Sequence, residues 1–270
     1  MAIPALSVMG VQCVPLPTAL LSSHTDGYKD FVFEDTARLF EPYARHWRSE
    51  GIVFDAIYCG FLGSYEQIAK TAEIIRMFRQ KNTLVVVDPV MGDHGAIYKT
   101  YTAEMCEGMR GLVALADIVT PNVTEAAILC GRRYADFPHG DLDAIAEWLV
   151  CLGKLAPRAE FLITGVMTGG SPGSIGVARL KHGTARVISR PMEPQYYPGT
   201  GDLFASCLVG GLMGGTNMED SINAAADFTR DAIMISGRAG LPGREGVLLE
   251  ALLPVLSRYN VAYRTITNDE

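Results

Sequence analysis

Short apolar runs alternate along this chain with longer stretches that are apolar on one side. Leu84-Val85-Val86-Val87 is unbroken and largely β-branched, the pattern of a strand buried on both faces. Residues 54–58, 117–120 and 160–164 predict similar short strands, and 11–16 predicts one more. Helical spacing of apolar residues predicts helices over 35–50, 102–114, 122–131 and 142–155. Another, over 64–80, is opened by a Ser64/Gln67 capping box. Residues 1–10 read as the end of a helix closed by Gly10, and 18–28 as an irregular loop.

Past Gly165 the pattern changes. Residues 174–180 and 185–189 flank Lys181-His182-Gly183-Thr184 and read as an antiparallel hairpin. An apolar helix over 203–213 follows, then helices over 219–236 and 246–258. Strand–helix alternation with short links implies a doubly wound, mainly parallel sheet with a late antiparallel hairpin. Ligands bind such sheets beyond the carboxyl ends of the strands. Gly60, Asp88, Thr120 and Thr164 are all expected there.

That edge gathers the candidate chemistry. Gly199-Thr200-Gly201-Asp202 precedes the apolar helix, with two glycines that permit a tight turn and close approach of a ligand. The first N–H groups of the helix would favour an anion. Asp202 is either an N-cap or a base held beside a phosphate. Asp88 and Asp93 either hold Mg²⁺, directly or through water, or mark a turn. Asn122 and Glu125 have capping-box spacing, and Glu125 could also hold metal-bound waters. The Thr164 hydroxyl reaches either a phosphate or its own backbone. His24 and Thr25 fall in a loop, where binding residues concentrate. A helix N-terminus, a carboxylate and a candidate Mg²⁺ cluster together are what phosphoryl transfer needs. The sequence has no Walker A motif, so backbone N–H groups would be the phosphate donors.

Composition narrows the partners. The 270 residues carry a formal charge of -7 and no Lys/Arg-rich run, which argues against nucleic acid. No uncharged run approaches the ~20 residues of a membrane helix, and no signal peptide is expected. Six cysteines without a C-x-x-C pair read as reduced core residues of a cytoplasmic protein.

The motifs also carry a resemblance. Gly199-Thr200-Gly201-Asp202 resembles the GTGD/GAGD signature of ribokinase-like kinases. Asp88-Pro89-Val90-Met91-Gly92-Asp93, and Ala116-Asp117-Ile118-Val119-Thr120-Pro121-Asn122 followed by Glu125, are similar to the vitamin kinase branch, the pyridoxal and hydroxymethylpyrimidine kinases. Hydroxymethylpyrimidine kinases usually have Cys where this chain has Asp202. The loop Leu21-Ser22-Ser23-His24-Thr25-Asp26-Gly27-Tyr28 is similar to the SNHTGY lid of pyridoxal kinases, with Ser23 for Asn and Asp26 added. The resemblance implies a single ribokinase-like domain over 1–270, a three-layer α/β sandwich with a mainly parallel central sheet. It further implies ATP-dependent phosphorylation of the 5′-hydroxymethyl group of pyridoxal, pyridoxine or pyridoxamine, with Mg²⁺ and a monovalent cation such as K⁺, in a cytoplasmic homodimer. Asp202 would be the base, and Gly199, Thr200 and Gly201 would cradle the phosphate. Asp93 and Glu125 would serve Mg²⁺ and the nucleotide. Asp88, Thr120 and Thr164 would surround the phosphates and the monovalent cation, with Asn122 on the nucleotide side. Thr25 and His24 would meet the pyridine, Phe61, where many members have Tyr, would line its pocket, and residues 190–198 would cover the adenine. The family normally has a strand and a Gly/Ser loop ahead of the helix seen here at Met1, so that first strand is expected to be missing. The alternatives are a hydroxymethylpyrimidine kinase of thiamine synthesis and a weakened, pyridoxal-binding relative.

Overall fold

The run Leu84–Val87 forms the strand it predicts, with Val85, Val86 and Val87 fully inaccessible. In the computed structural model, which describes residues 1–23, 28, 30–169 and 173–259, it lies inside a four-stranded parallel sheet. Ala56–Cys59 flanks it on one side and Ile118–Val119 on the other, and Glu160–Phe161 follows outside Ile118–Val119.

Successive side chains of a strand point to opposite faces, and both faces here are apolar. Val85, Val87, Val119 and Phe161 pack with the helices Tyr65–Phe78, Ala103–Val113, Val123–Cys130 and Leu142–Gly153. Val86, Ile118 and Leu162 pack with Ala2–Val8, Thr200–Met213 and Met218–Arg238. The result is the three-layer α/β sandwich that the sequence led us to expect. Burying each of these side chains contributes about 1.5–3 kcal/mol, so the doubly buried sheet is the rigid part of the molecule.

Beyond Leu162 the chain changes sheet. Ile163–Thr168 pairs antiparallel with Ser174–Lys181, which pairs with Thr184–Pro191. The tight turn between the last two places His182 at φ +51° and Gly183 at φ +81°, the backbone that a two-residue hairpin turn requires.

Four expectations fail. Residues 11–16 form no strand. Residues 18–28 are not wholly irregular, because Ala19–Leu21 pairs antiparallel with Phe33–Asp35. Fully buried Gln67 ties this hairpin down, its amide NH₂ donating to the Thr18 carbonyl (2.6 Å) and to Asp35 Oδ1 (2.5 Å). Its Oε1 accepts from the Gly63 N–H (2.8 Å), so only the Ser64 half of the proposed capping box exists, with Ser64 Oγ accepting from the Gln67 N–H (3.4 Å). The predicted 246–258 helix is reduced to one α-turn, Leu253–Leu256, followed by a 3-10 turn, Ser257–Tyr259. Pro254 at its start cannot continue a helix arriving from residue 246. Among the described residues no helix is long and apolar enough to cross a membrane.

Candidate active site

Parallel register sets the first row of the site. Cys59, Val87 and Val119 are level with one another, so Gly60, Asp88 and Thr120 emerge together at the carboxyl edge. Thr120 Oγ1 donates to Asp88 Oδ1 at 2.8 Å, and both side chains are buried. Thr164 does not end its strand; it is the second residue of Ile163–Thr168. A parallel bridge nevertheless sets it beside Asn122.

Asn122 and Glu125 form a complete capping box. The Asn122 N–H donates to Glu125 Oε2 (2.8 Å), and the Glu125 N–H donates to Asn122 Oδ1 (2.9 Å). The same pair reaches across to the loop after Leu84–Val87. Glu125 Oε1 accepts from the Met91 N–H (3.1 Å), and Asn122 Nδ2 donates to the Gly92 carbonyl (2.8 Å). Gly92 then opens a two-residue strand, Gly92–Asp93, paired with Ala96–Ile97. A Cβ on Gly92 would collide with the Ala96 carbonyl oxygen. We expect Gly92→Ala to displace Asp93 and to lower both melting temperature and activity, whereas a site independent of this turn would leave activity intact.

Burial dominates the electrostatics, and repulsion between the carboxylates adds to it. Burial raises the Asp88 carboxyl to about 7, with Asp202 adding to the rise and the Thr120 hydroxyl opposing it. Burial likewise pushes Glu125 well above the usual carboxylate range, with Asp88 and Asp93 adding to it and the two backbone donors opposing. A carboxyl raised from an ordinary ~3.9 binds its proton more tightly when folded, so its contribution to stability is lost as pH rises from about 4 to about 7. Asp88→Asn should flatten that part of the melting-temperature profile; an unchanged slope would show that Asp88 ionises normally.

Gly199, at φ +84°, precedes the Thr200–Met213 helix, and no side chain caps it. Asp202 is therefore not the N-cap. It sits in the first turn, with its Oδ1 3.7 Å from the position a Gly60 Cβ would occupy. The Thr200 hydroxyl donates backwards to the Tyr197 carbonyl (3.2 Å). No side-chain cap is thus set on the first N–H groups of the helix, and such a start favours an anion.

A cleft of about 560 Å³ brings together Asp88, Asp93, Thr120, Asn122, Glu125, Thr164 and Gly199-Thr200-Gly201-Asp202. Phe61 does not line it, although it follows Gly60 directly, and His24 and Thr25 lie outside the described residues. Sequence reasoning missed Tyr98, Thr229 and Ile233 in its walls, and named Met192, Tyr196 and Arg190 only as part of a covering segment. Arg190 is held by Asp227, through Nε–Oδ1 (2.5 Å) and Nη2–Oδ2 (2.9 Å). The partners stand 37 residues apart, with no local pattern to reveal them. Tyr196 donates to Asp93 Oδ2 (3.4 Å) across the cleft.

Among the described residues no group of three or more His, Cys, Asp or Glu side chains could hold a metal directly. Both Glu125 oxygens already accept backbone N–H groups. Asp88, Asp93 and Thr120 line the same cleft as Glu125. An all-oxygen set whose carboxylates repel one another still suits a hard cation held through water.

An uncapped helix start and a carboxylate facing a row of strand ends make a site for phosphoryl transfer. The chain belongs to the family described as phosphomethylpyrimidine kinase, whose profile matches residues 2–244. The pyridoxine/pyridoxal/pyridoxamine kinase of Bordetella avium is 29% identical over 240 residues, covering 86% of this chain and 78% of the relative. The pyridoxal kinase structure from Lactobacillus plantarum is similar at TM-score 0.88 and 29% identity, covering 96% of this chain and 91% of that one. A Bacteroides thetaiotaomicron structure described as a phosphomethylpyrimidine kinase, in a form with pyridoxal, matches at TM-score 0.83 and 37% identity, covering 94% of this chain and 88% of that one.

Proposed function

We propose that the protein transfers the γ-phosphate of ATP to the 5′-hydroxymethyl group of pyridoxal, pyridoxine or pyridoxamine. The observation that carries this reading is the uncapped start of the Thr200–Met213 helix, with Asp202 in its first turn facing Gly60. The N–H groups of residues 200–202 bind the transferring phosphoryl group, and Asp202 takes the proton of the attacking hydroxyl. The new P–O bond forms as the bond to ADP breaks, in line. Thr164 and Asn122 border the nucleotide side. His24, Thr25 and Phe61 serve the pyridine ring.

Asp88, Asp93 and Glu125 would hold Mg²⁺, and Asp88 and Thr120 would hold K⁺. Bound there, Mg²⁺ supplies charge neutralisation for the phosphates. The free cysteines suit a reducing compartment, which supports a cytoplasmic protein. A homodimer is inferred from the resemblance alone.

Phosphomethylpyrimidine kinase is the description of the family and of the Bacteroides thetaiotaomicron structure, which nevertheless is a form with pyridoxal, while the Bordetella avium and Lactobacillus plantarum relatives are named for pyridoxal and its congeners. The discriminating measurement is ADP release from ATP with pyridoxal or with hydroxymethylpyrimidine as acceptor. Faster release with pyridoxal is expected; the reverse order would reassign the substrate, and binding without ADP release would make the protein a binder.

A further inference from the structure

Tyr58 lies in the Ala56–Cys59 strand, and its side chain leaves the sheet on the same side as the position of Gly60, two residues on. There it packs in the apolar layer that contains the Thr200–Met213 helix. Its hydroxyl is buried and has no hydrogen-bond partner. A buried phenol in that state is costly, and native structures seldom keep one without a use. Its polar neighbour Ser206 donates to the Asp202 carbonyl, at 2.6 Å, which links the phenol's surroundings to Asp202. A methyl carbon on Gly60 would stand 3.7 Å from Tyr58 Oη and equally 3.7 Å from Asp202 Oδ1. The phenol and the carboxylate therefore both flank the Gly60 position, and Asp202 in turn lines the cleft.

We propose that Tyr58 is a positioning residue for the transfer. Its O–H donates to the Asp202 carboxylate when the substrate hydroxyl is in place, and holds the other carboxylate oxygen toward the proton it receives. The idea rests on the reading of Asp202 as the base. Tyr58 touches neither substrate nor nucleotide; it acts through Asp202.

Tyr58→Phe removes only the hydroxyl. We expect kcat to fall roughly 10–100-fold, the usual consequence of a misplaced reacting group, with KM for pyridoxal and ATP little changed. The melting temperature should hold or rise, because a buried group without a partner has gone. In an Asp202→Asn background the same change should have no further effect on kcat, since a residue acting through Asp202 has nothing left to position. Gly60→Ala is the companion variant. Its methyl makes ordinary contacts with both groups, so it should fold and lose kcat similarly. Undiminished kcat in Tyr58→Phe overturns the proposal. So does a further loss in the Asp202→Asn background, or a loss of kcat that only follows a fall in melting temperature. Should Tyr58→Phe not fold, Gly60→Ala decides, and full activity there overturns the proposal. Absence of ADP release by the unaltered protein with pyridoxal would instead overturn the underlying kinase reading, and Tyr58 with it.

Discussion

Asp202→Asn is expected to fold as the native chain does and to turn over pyridoxal roughly 10²–10⁴-fold more slowly, the usual contribution of a positioned base. Folding should survive because Asp202 does not cap its helix; Gly199 holds that position without a side-chain bond. Asparagine keeps the size of the side chain and also removes a charge that raises Asp88. The melting temperature should therefore hold or increase. KM for ATP should change little, since the backbone donors remain. The measurements are steady-state kinetics and a melting curve on the same preparation. Native turnover in the variant would show that another group accepts the proton. A collapsed melting curve would show that Asp202 belongs to the framework.

Glu125→Ala should produce the opposite pattern, a loss of stability with activity falling as a consequence. Both carboxylate oxygens accept backbone N–H groups, from Met91 and Asn122. Truncation leaves both donors without these partners, at about 1–3 kcal/mol each. Relief of the repulsion from Asp88 and Asp93 offsets part of that. At about 2–4 °C per kcal/mol for a chain of comparable size, a fall of roughly 5–15 °C is expected. Activity should fall as well, because the loop that carries Asp93 loses its tie to the helix. Glu125→Gln should be milder, since its one carbonyl oxygen can still satisfy one donor. Melting temperatures equal to that of the native chain in both variants would mean that these two bonds contribute nothing net.

The sequence showed most clearly those parts of the fold that depend on local chemistry. Leu84–Val87 was legible because an unbroken apolar run has few other homes. The Asn122/Glu125 box was legible because capping is a matter of spacing. Residues 11–16 misled because Val11 and Val14 look strand-like, while Pro15 has no N–H for a ladder. Asp202 was ambiguous because its role turns on which residue starts the helix, and the positive φ of Gly199 settles that only in three dimensions. The bonds of Gln67 to Thr18 and Asp35 and the hold of Asp227 on Arg190 join residues more than thirty positions apart. The buried hydroxyl of Tyr58 is invisible without coordinates. Of the two readings of the 122–125 pair the capping box is present, and it lies within a cleft that also contains Asp88 and Asp93.

The row of strand ends has a consequence for how the molecule comes into being. Asp88, Thr120, Glu125, Thr164 and Asp202 arrive from separate stretches of chain, and the parallel strands before them can pair only across long crossovers. Such non-local topologies fold slowly. No early substructure owns the site, and a nascent chain that stops before Thr200 would carry the acidic edge without the helix start that answers it. A phosphate ligand held at this edge would recognise only the finished domain, and its binding free energy would add to global stability in the manner of a ligand specific for the native state.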